Sequence, residues 1–313
     1  MDRREFLKFA GITVGAAVLG GTRAASAQEH FEGWPNRYGA LFDTTLCVGC
    51  GKCEWACNQA NRLPAAPLEE FEDKSVFEEQ RRPHAEAYTV VNRYVHPEGG
   101  QPIYRKVQCM HCDEPACASA CLVGAFKKTK EGAVLYDENV CIGCRYCVTA
   151  CPFHVPAYEY DDPFSPAVRK CTFCSDRISK PGGIPACVEI CPEEAIAFGK
   201  RSDLITLAHQ RIVTNPGRYI DHIFGENEVG GMGWMYLAGV PFGKLGFPSE
   251  LGATPYPQLT RGFLSTVPVV LVVWPALLMG CYALIKRRER VAEEATENLR
   301  VDDDGKRGDG HVE

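Results

Sequence analysis

The sequence predicts an α+β fold with short strands and helices, built by duplication of a small cysteine-rich unit and followed by one C-terminal transmembrane helix. The first observation is that sixteen of the 17 cysteines in the 313 residues fall into four groups of four, and two types of group alternate. The second is that the strands predicted between the groups are short and the helices few. The third is an uncharged stretch of 23 residues at 263–285, slightly longer than the ~20 residues that a membrane helix needs.

The composition excludes some classes of function. The net charge of -6 comes without a long block of lysine and arginine, so nothing indicates binding to nucleic acid. No Ser-His-Asp, Cys-His or paired-carboxylate arrangement stands out in the sequence. We therefore predict no catalytic residues and no substrate chemistry of the chain's own.

The cysteine groups are of two types. The first and third groups are near-copies that each follow an aspartate, Asp43 or Asp137, by four residues: Cys47-x2-Cys50-x2-Cys53-x3-Cys57 and Cys141-x2-Cys144-x2-Cys147-x3-Cys151. The second and fourth groups have looser spacing: Cys109-x2-Cys112-x4-Cys117-x3-Cys121 and Cys171-x2-Cys174-x12-Cys187-x3-Cys191. This alternation indicates duplication of a unit that carries two groups.

The spacing predicts iron-sulfur clusters. Three cysteines spaced C-x2-C-x2-C can bind three iron corners of one cubane, and the cysteine four residues later serves a neighbouring cluster, as in bacterial ferredoxins. Pro152 and Pro192 complete that motif twice. Gly49, Gly51 and Gly143 are expected to allow tight loops that turn N–H groups toward sulfur. We predict that all sixteen grouped cysteines are ligands of four 4Fe-4S clusters.

Cysteine quartets also occur in structural zinc sites and in disulfide frameworks. Zinc sites also use four cysteines, usually as two separated C-x2-C pairs, and disulfides suit exported proteins. Repeated C-x2-C-x2-C spacing is poor geometry for both. A structural zinc scaffold remains the alternative to an electron-transfer function. His111 and His154 are expected near clusters but not as ligands. Cys281 is interpreted as a packing residue of the apolar helix, with lipidation as its alternative.

Both ends of the chain predict export and anchoring. Arg3-Arg4, an apolar run and Ala25-Ser26-Ala27 are typical of a twin-arginine signal peptide cleaved before Gln28. Lys286-Arg287-Arg288 directly follow the apolar stretch, which predicts a cytoplasmic C-terminus and a body on the periplasmic side of the membrane.

Between the ends, strand patterns predict a hairpin from 88–91 and 101–107 and a strand at 132–136, and apolar spacing predicts a helix at 202–213. The predicted organisation is a signal peptide at 1–27, a four-cluster domain at 28–214 with a hairpin insertion at 58–108, an extended surface arm at 215–262, a transmembrane helix at 263–285 and a disordered cytoplasmic tail at 286–313.

With Gly143-Cys144-Arg145-Tyr146-Cys147 and Cys151-Pro152-x2-Val155-Pro156, the chain resembles the four-cluster ferredoxin-like subunits of membrane-bound respiratory oxidoreductases, over roughly 41–247. The twin-arginine signal and single membrane helix, together with 46–50, 108–112 and 240–242, most resemble the HybA-type subunit of periplasmic nickel-iron hydrogenases. Electron-transfer subunits of molybdopterin enzymes, such as formate dehydrogenase, are the alternative. The resemblance implies a catalytic partner and a polytopic quinone-reactive membrane partner.

The repeats alone leave sequential and nested pairing of the groups open, and the resemblance implies two nested ferredoxin-like units. Asn58 and Leu122 replace the proline that follows the fourth cysteine, which is expected to alter the turn without loss of a ligand. The ligand sets implied are Cys47, Cys50, Cys53 and Cys191 for cluster 1; Cys109, Cys112, Cys117 and Cys151 for cluster 2; Cys141, Cys144, Cys147 and Cys121 for cluster 3; and Cys171, Cys174, Cys187 and Cys57 for cluster 4.

Overall fold

The computed structural model describes residues 31–64, 66–164 and 166–308. The predicted signal peptide at 1–27 lies outside these residues. The described chain divides into two units, one that ends at Pro255 and one that begins at Tyr256.

The first unit contains a three-stranded sheet. β1 (Tyr38–Asp43) lies in the middle, pairs antiparallel with β8 (Ile196–Lys200) and pairs parallel with β9 (Trp234–Leu237). Residues 39–43 are all buried, as expected of a strand that is covered on both faces.

Helix α6 (Arg201–Thr214) covers one face of this sheet and confirms the helix predicted at 202–213. Leu41 of β1 and Met235 of β9 pack with Leu204 and Ala208 of the helix in one apolar cluster. Thr206, His209 and Gln210 on the opposite side are exposed, so the 3.6-residue periodicity in the sequence reflects one buried stripe.

The position of β9 differs from the expectation of an extended surface arm at 215–262. Residues 232–238 are all buried, and Ala40 of β1 lies opposite Trp234. Without β9, the edge of β1 would leave its backbone N–H and C=O groups unpaired. The aromatic residues that suggested a draped arm are therefore part of the core.

Three hairpins complete the strands. β2 (Val90–Tyr94) pairs with β3 (Ile103–Val107), which confirms the predicted hairpin. β4 (Phe126–Lys128) pairs with β5 (Val134–Tyr136), which confirms the strand predicted at 132–136. The third pair consists of β6 (Ala157–Tyr158) and β7 (Val168–Arg169).

Short helices follow the cysteine loops. They are α1 (Lys52–Asn61), α2 (Ala116–Ser119), α3 (Tyr146–Ala150), α4 (Ser175–Ile178) and α5 (Ala186–Glu189). Helix α1 contacts α5, and α2 contacts α3. Short 3-10 turns occupy Leu68–Glu72, Lys74–Phe77, Glu138–Val140, Glu228–Gly230 and Phe242–Leu245.

The two departures from the proline motif have different consequences. Helix α3 ends just before Cys151 and Pro152, because proline cannot continue a helix, whereas α1 runs through Asn58 to Asn61. The turn after Cys121 is kept despite Leu122, since Gly124 N–H donates to the Cys121 carbonyl at 3.3 Å. Only Asn58 alters the local structure.

The second unit is helix α7 (Tyr256–Gly308), which contains Pro268 and Pro275. Its part Tyr256–Thr296 is the one helix within the described residues that is long and apolar enough to cross a membrane, with a mean hydropathy of 2.2. Residues 286–308 continue the helix where the sequence predicted a disordered tail. This segment is rich in alanine, glutamate, lysine and arginine, which favour helix even without packing.

Candidate metal centre

The four Cys-x2-Cys loops share one backbone feature. The third residue of each is left-handed, with φ of +67° at Gly49, +49° at His111, +70° at Gly143 and +58° at Phe173. Glycine adopts this conformation freely, whereas side chains beyond glycine do so at a cost. The sequence predicted this turn only at the two glycines. His111 and Phe173 hold the same position between their cysteines, and that spacing could have predicted the turn there too.

These turns bring backbone N–H groups close to sulfur. In two of these loops such bonds to Sγ run from Gly143 to Cys141 at 3.4 Å and from Phe173 to Cys171 at 3.3 Å. Outside the loops, Ala125 N–H donates to Cys121 Sγ at 3.2 Å. A hydrogen bond that an anionic sulfur accepts favours the thiolate form, which is the form that binds metal.

Cys47, Cys50, Cys53 and Cys191, here called thiol set 1, line a single pocket with apolar walls that include Phe42. Three of these cysteines precede or begin α1, and the fourth follows α5. The pairing of β1 with β8 and the contact of α1 with α5 bring the two segments together.

The other thiols form three further sets. In each set, the charges of three neighbouring sulfurs raise the pKa of one central thiol. In set 2, burial raises the pKa of Cys112, and the neighbours that add to it are Cys151, Cys109 and Cys117. In set 3, burial raises the pKa of Cys147 to about 11, and the neighbours that add to it are Cys141, Cys121 and Cys144. In set 4, burial raises the pKa of Cys57, and the neighbours that add to it are Cys171, Cys187 and Cys174.

The burial and mutual repulsion of these cysteines suit them to binding iron-sulfur clusters. Burial also raises the pKa of Cys47 and of Cys171 to about 12, so these two thiols stay protonated at neutral pH in the metal-free chain. Buried sulfurs that repel one another as anions become stable thiolates only when cations are bound among them. A pocket lined by four thiols, with N–H groups aimed at sulfur, matches the donor set of a 4Fe-4S cluster.

The thiols are not arranged to hold a single metal ion. Across the described residues, no group of three or more histidine, cysteine, aspartate or glutamate side chains is close enough to hold one metal ion. A cubane has four iron corners, so its four ligands stand farther apart than the ligands of one ion.

The sets are arranged in the order 1, 4, 2, 3. Cys53 of set 1 is an electrostatic neighbour of Cys187 in set 4. Cys171 of set 4 neighbours Cys109 in set 2. Cys117 of set 2 neighbours Cys147 in set 3. Sets 1 and 3 are therefore the two ends of the row.

Set 3 is the more open end. Cys144 is exposed, and so are the apolar side chains of Ile142, Tyr146 and Leu122, of which Leu122 is 79% exposed. Solvent exposure of a terminal site and apolar residues around it are typical of a surface that another protein covers.

Buried lysines, which the sequence predictions missed, lie among the thiols. Lys106 and Lys170 are 1% and 5% exposed, and Lys128 is also buried and lies 3.7 Å from the Asp113 carboxylate. Burial lowers the pKa of Lys106, but nearby thiols, first Cys187, outweigh burial and raise it above its usual value. Two of these lysines stand just before a Cys-x2-Cys loop, which is the sequence signal that could have found them.

The two histidines differ in their surroundings. His111 is fully buried, and burial, then Lys170 and other lysines, lower its pKa well below the usual value. Its Nδ1 accepts a hydrogen bond from Val134 N–H at 2.9 Å, so the neutral ring carries its proton on Nε2. That nitrogen has no hydrogen-bond partner in the described part of the chain. The His154 side chain is exposed.

Comparisons with known proteins support iron-sulfur binding by this chain. A 4Fe-4S dicluster domain model matches residues 101–201. A protein of Nitratidesulfovibrio vulgaris is 52% identical over 94% of this chain and 80% of its own length. Hydrogenase-2 operon protein HybA of Escherichia coli O157:H7 is 37% identical over 93% of this chain and 96% of its own. The iron-sulfur subunit of nitrate-inducible formate dehydrogenase of Escherichia coli K12 is 35% identical over 63% of this chain and 66% of its own.

The identity to HybA extends over nearly the whole of both chains, and the dicluster model matches the stretch that contains the second, third and fourth cysteine groups. The resemblance inferred from the cysteine motifs is thereby confirmed. The chain belongs to the HybA-like family of ferredoxin-like iron-sulfur electron-transfer subunits.

Proposed function

We propose that this chain relays single electrons through four 4Fe-4S clusters, one in each thiol set, between a catalytic subunit and a quinone-reactive membrane subunit. The observation that carries the proposal is the row of four sets, each with four cysteines and each in electrostatic contact with the next. A bound cluster supplies one-electron redox chemistry. The protein supplies positions, burial and N–H groups that adjust the potentials.

We propose the ligand sets 1 to 4 as the ligands of clusters 1 to 4. The contact of α1 with α5 and the pairing of β1 with β8 support an outer unit made of the first and fourth cysteine groups. The contact of α2 with α3 supports an inner unit made of the second and third groups, which are joined by the β4–β5 hairpin. These contacts favour nesting of one ferredoxin-like unit within the other.

A nickel-iron hydrogenase is the catalytic partner that we favour. HybA, whose name refers to a hydrogenase-2 operon, aligns with 93% of this chain, whereas the nitrate-inducible formate dehydrogenase subunit aligns with 63%. The second candidate is the iron-sulfur subunit of a formate dehydrogenase, which its identity of 35% supports. The large subunit that co-purifies with the tagged chain, identified by mass spectrometry, distinguishes the two.

We further propose that the body lies on the periplasmic side of the membrane. A twin-arginine signal at 1–27 would export the folded protein with its clusters, and 263–285 would anchor it. Lys286-Arg287-Arg288 would hold the C-terminus in the cytoplasm. The apolar, fully exposed surface of this part of α7 supports the anchor.

Metal analysis tests the central proposal. Protein purified under anaerobic conditions should contain about sixteen irons, four for each cluster, and should be brown. Reductive titration followed by EPR should reveal four one-electron transitions. About four zinc ions in place of iron, in a colourless protein, would support the zinc scaffold and refute electron transfer.

A further inference from the structure

Lys106 is a buried cation in an unusual setting. Its side chain is 1% exposed, and its Nζ donates to Thr89 Oγ1 at 2.6 Å and to Gln108 Oε1 at 3.2 Å. The ring of Trp234 lies 4.7 Å from Nζ. Within the described residues no carboxylate lies at salt-bridge distance from it. Neutral oxygens and a ring only partly balance a buried ammonium group, which is costly to remove from water.

The groups that can balance its charge are thiols from two sets. In the β2–β3 hairpin Lys106 lies opposite Val91, which lines the pocket of set 1. The ring of Trp234, over which Nζ lies, contacts Phe173 in the Cys171-x2-Cys174 loop of set 4. The electrostatic neighbours of Lys106 accordingly include Cys53 of set 1 and three members of set 4, Cys187, Cys171 and Cys57. A cluster bound by four thiolates is anionic in both redox states, and it gains one more negative charge on reduction. Lys106 lies where two such anions would meet.

We propose that Lys106 is a fixed counter-cation shared by the clusters of sets 1 and 4, and that it raises the reduction potentials of both. This inference rests on the proposed function, because it requires clusters in those sets. A fixed positive charge buried beside a cluster stabilises the reduced, more negative form over the oxidised one. The electron is thereby held more strongly on this pair than it would be without the lysine.

Lys170 occupies a related position near set 2. It is buried, and its Nζ donates to the carbonyl oxygens of Val134 and of Cys171, the latter at 3.1 Å. It stands next to Cys171 of set 4 in the sequence, yet it is an electrostatic neighbour of Cys117 in set 2. Conversely, Lys106 stands three residues before Cys109 of set 2 and acts on sets 1 and 4. Lys106 thus precedes a loop of set 2 and faces sets 1 and 4, whereas Lys170 precedes a loop of set 4 and faces set 2.

The test is an EPR-monitored redox titration of the purified holoprotein and three lysine-to-methionine variants. Methionine keeps the length and apolar stem of lysine but removes the charge. K106M should shift two of the four transitions to more negative potentials by at least about 59 mV. For a one-electron couple this shift is a tenfold decrease in the ratio of reduced to oxidised cluster at a given potential. K170M should shift a transition outside that pair. Lys180→Met removes an exposed lysine from the same chain and should shift none.

Iron content separates charge from folding. K106M that retains full iron and unshifted potentials overturns the proposal, and so does a uniform shift of all four transitions. If K106M loses iron, Lys106→Arg, which restores the charge, decides: iron and wild-type potentials regained in the arginine variant support the counter-cation, whereas iron loss in both shows that the position is structural. Wild-type protein that lacks iron or four transitions refutes the proposed function itself, before Lys106 is tested.

Discussion

The rings of His111 and Phe173 stack on each other with centroids 4.8 Å apart and planes 24° apart. They occupy the same position in the two looser cysteine loops, both are left-handed, and both are buried. Their contact joins the loop of set 2 to the loop of set 4, next to the neighbouring thiols Cys109 and Cys171. This stack is the junction between the two cluster pairs of the proposed row.

Removal of the Phe173 ring should loosen that junction. Phe173 also contacts Phe198 at 5.9 Å and Trp234 at 6.1 Å between ring centroids, so Phe173→Ala leaves a cavity in the core. We expect a loss of about 3 kcal/mol or more in stability, seen as faster loss of iron-sulfur absorbance on heating. Phe164→Ala is the control, because that ring is 94% exposed, and its rate should match the wild type. Equal rates for the two variants would contradict this role.

Gly49 in the first cysteine loop should not tolerate a side chain. A Cβ at this position would lie 2.3 Å from the Tyr104 ring, in addition to the strain of φ +67°. Gly182 has a similar φ of +70° and open space around it, so Gly182→Ala measures the backbone strain alone, about 1 kcal/mol. We expect Gly49→Ala to lose the cluster of set 1, about four irons, and Gly182→Ala to keep all of them. Full iron in Gly49→Ala would show that Tyr104 can move aside.

Iron loss in double variants should reveal the pairing of the ligands. If Cys57 and Cys171 bind the same cluster, Cys57→Ala with Cys171→Ala should lose about four irons, as each single variant does. Cys57→Ala with Cys47→Ala should lose about eight, because those residues belong to different clusters. The reverse result would place Cys57 with its own group and refute nesting. Cys281→Ala should retain all iron, since that exposed cysteine lies in α7.

Truncation should separate the body from its anchor. A chain that ends after Gly262 should be exported in soluble form with about sixteen irons, because the first unit ends at Pro255 and the removed part carries no predicted ligand. Dye-linked activity of the complex should persist. Quinone-linked activity should fall sharply, because the body loses its local concentration at the membrane partner. An unchanged quinone-linked rate would make the helix dispensable, and loss of iron would give it a role in folding.

Local patterns in the sequence were sufficient for the loops. Asp43 and Asp137, each four residues before a group, accept hydrogen bonds from the N–H groups of Thr45 and Asn139, both at 3.0 Å, and so form the same turn ahead of the loops. The left-handed glycines of the loops, the β2–β3 hairpin, β5 and α6 were also predictable, because their determinants lie within a few residues of one another.

Other features depended on contacts across the chain. Composition suggested a surface arm around Trp234, but the open edge of β1 makes that segment a buried strand. Helix α7 continues through 286–308 because glutamate, lysine and arginine have favourable helix propensities. The charge and glycine content of the same segment had predicted disorder.

The sequence by itself determined the kind of site, because the first and third cysteine groups have the C-x2-C-x2-C-x3-C spacing of the bacterial ferredoxin motif. It also determined the family, and the apolar length of the C-terminal helix. Only the tertiary structure decided which groups meet, the order of the four sets and the position of Lys106 among Cys53 and the thiols of set 4. The physical reason is that burial and electrostatic contact join residues far apart in sequence, and no local spacing encodes them.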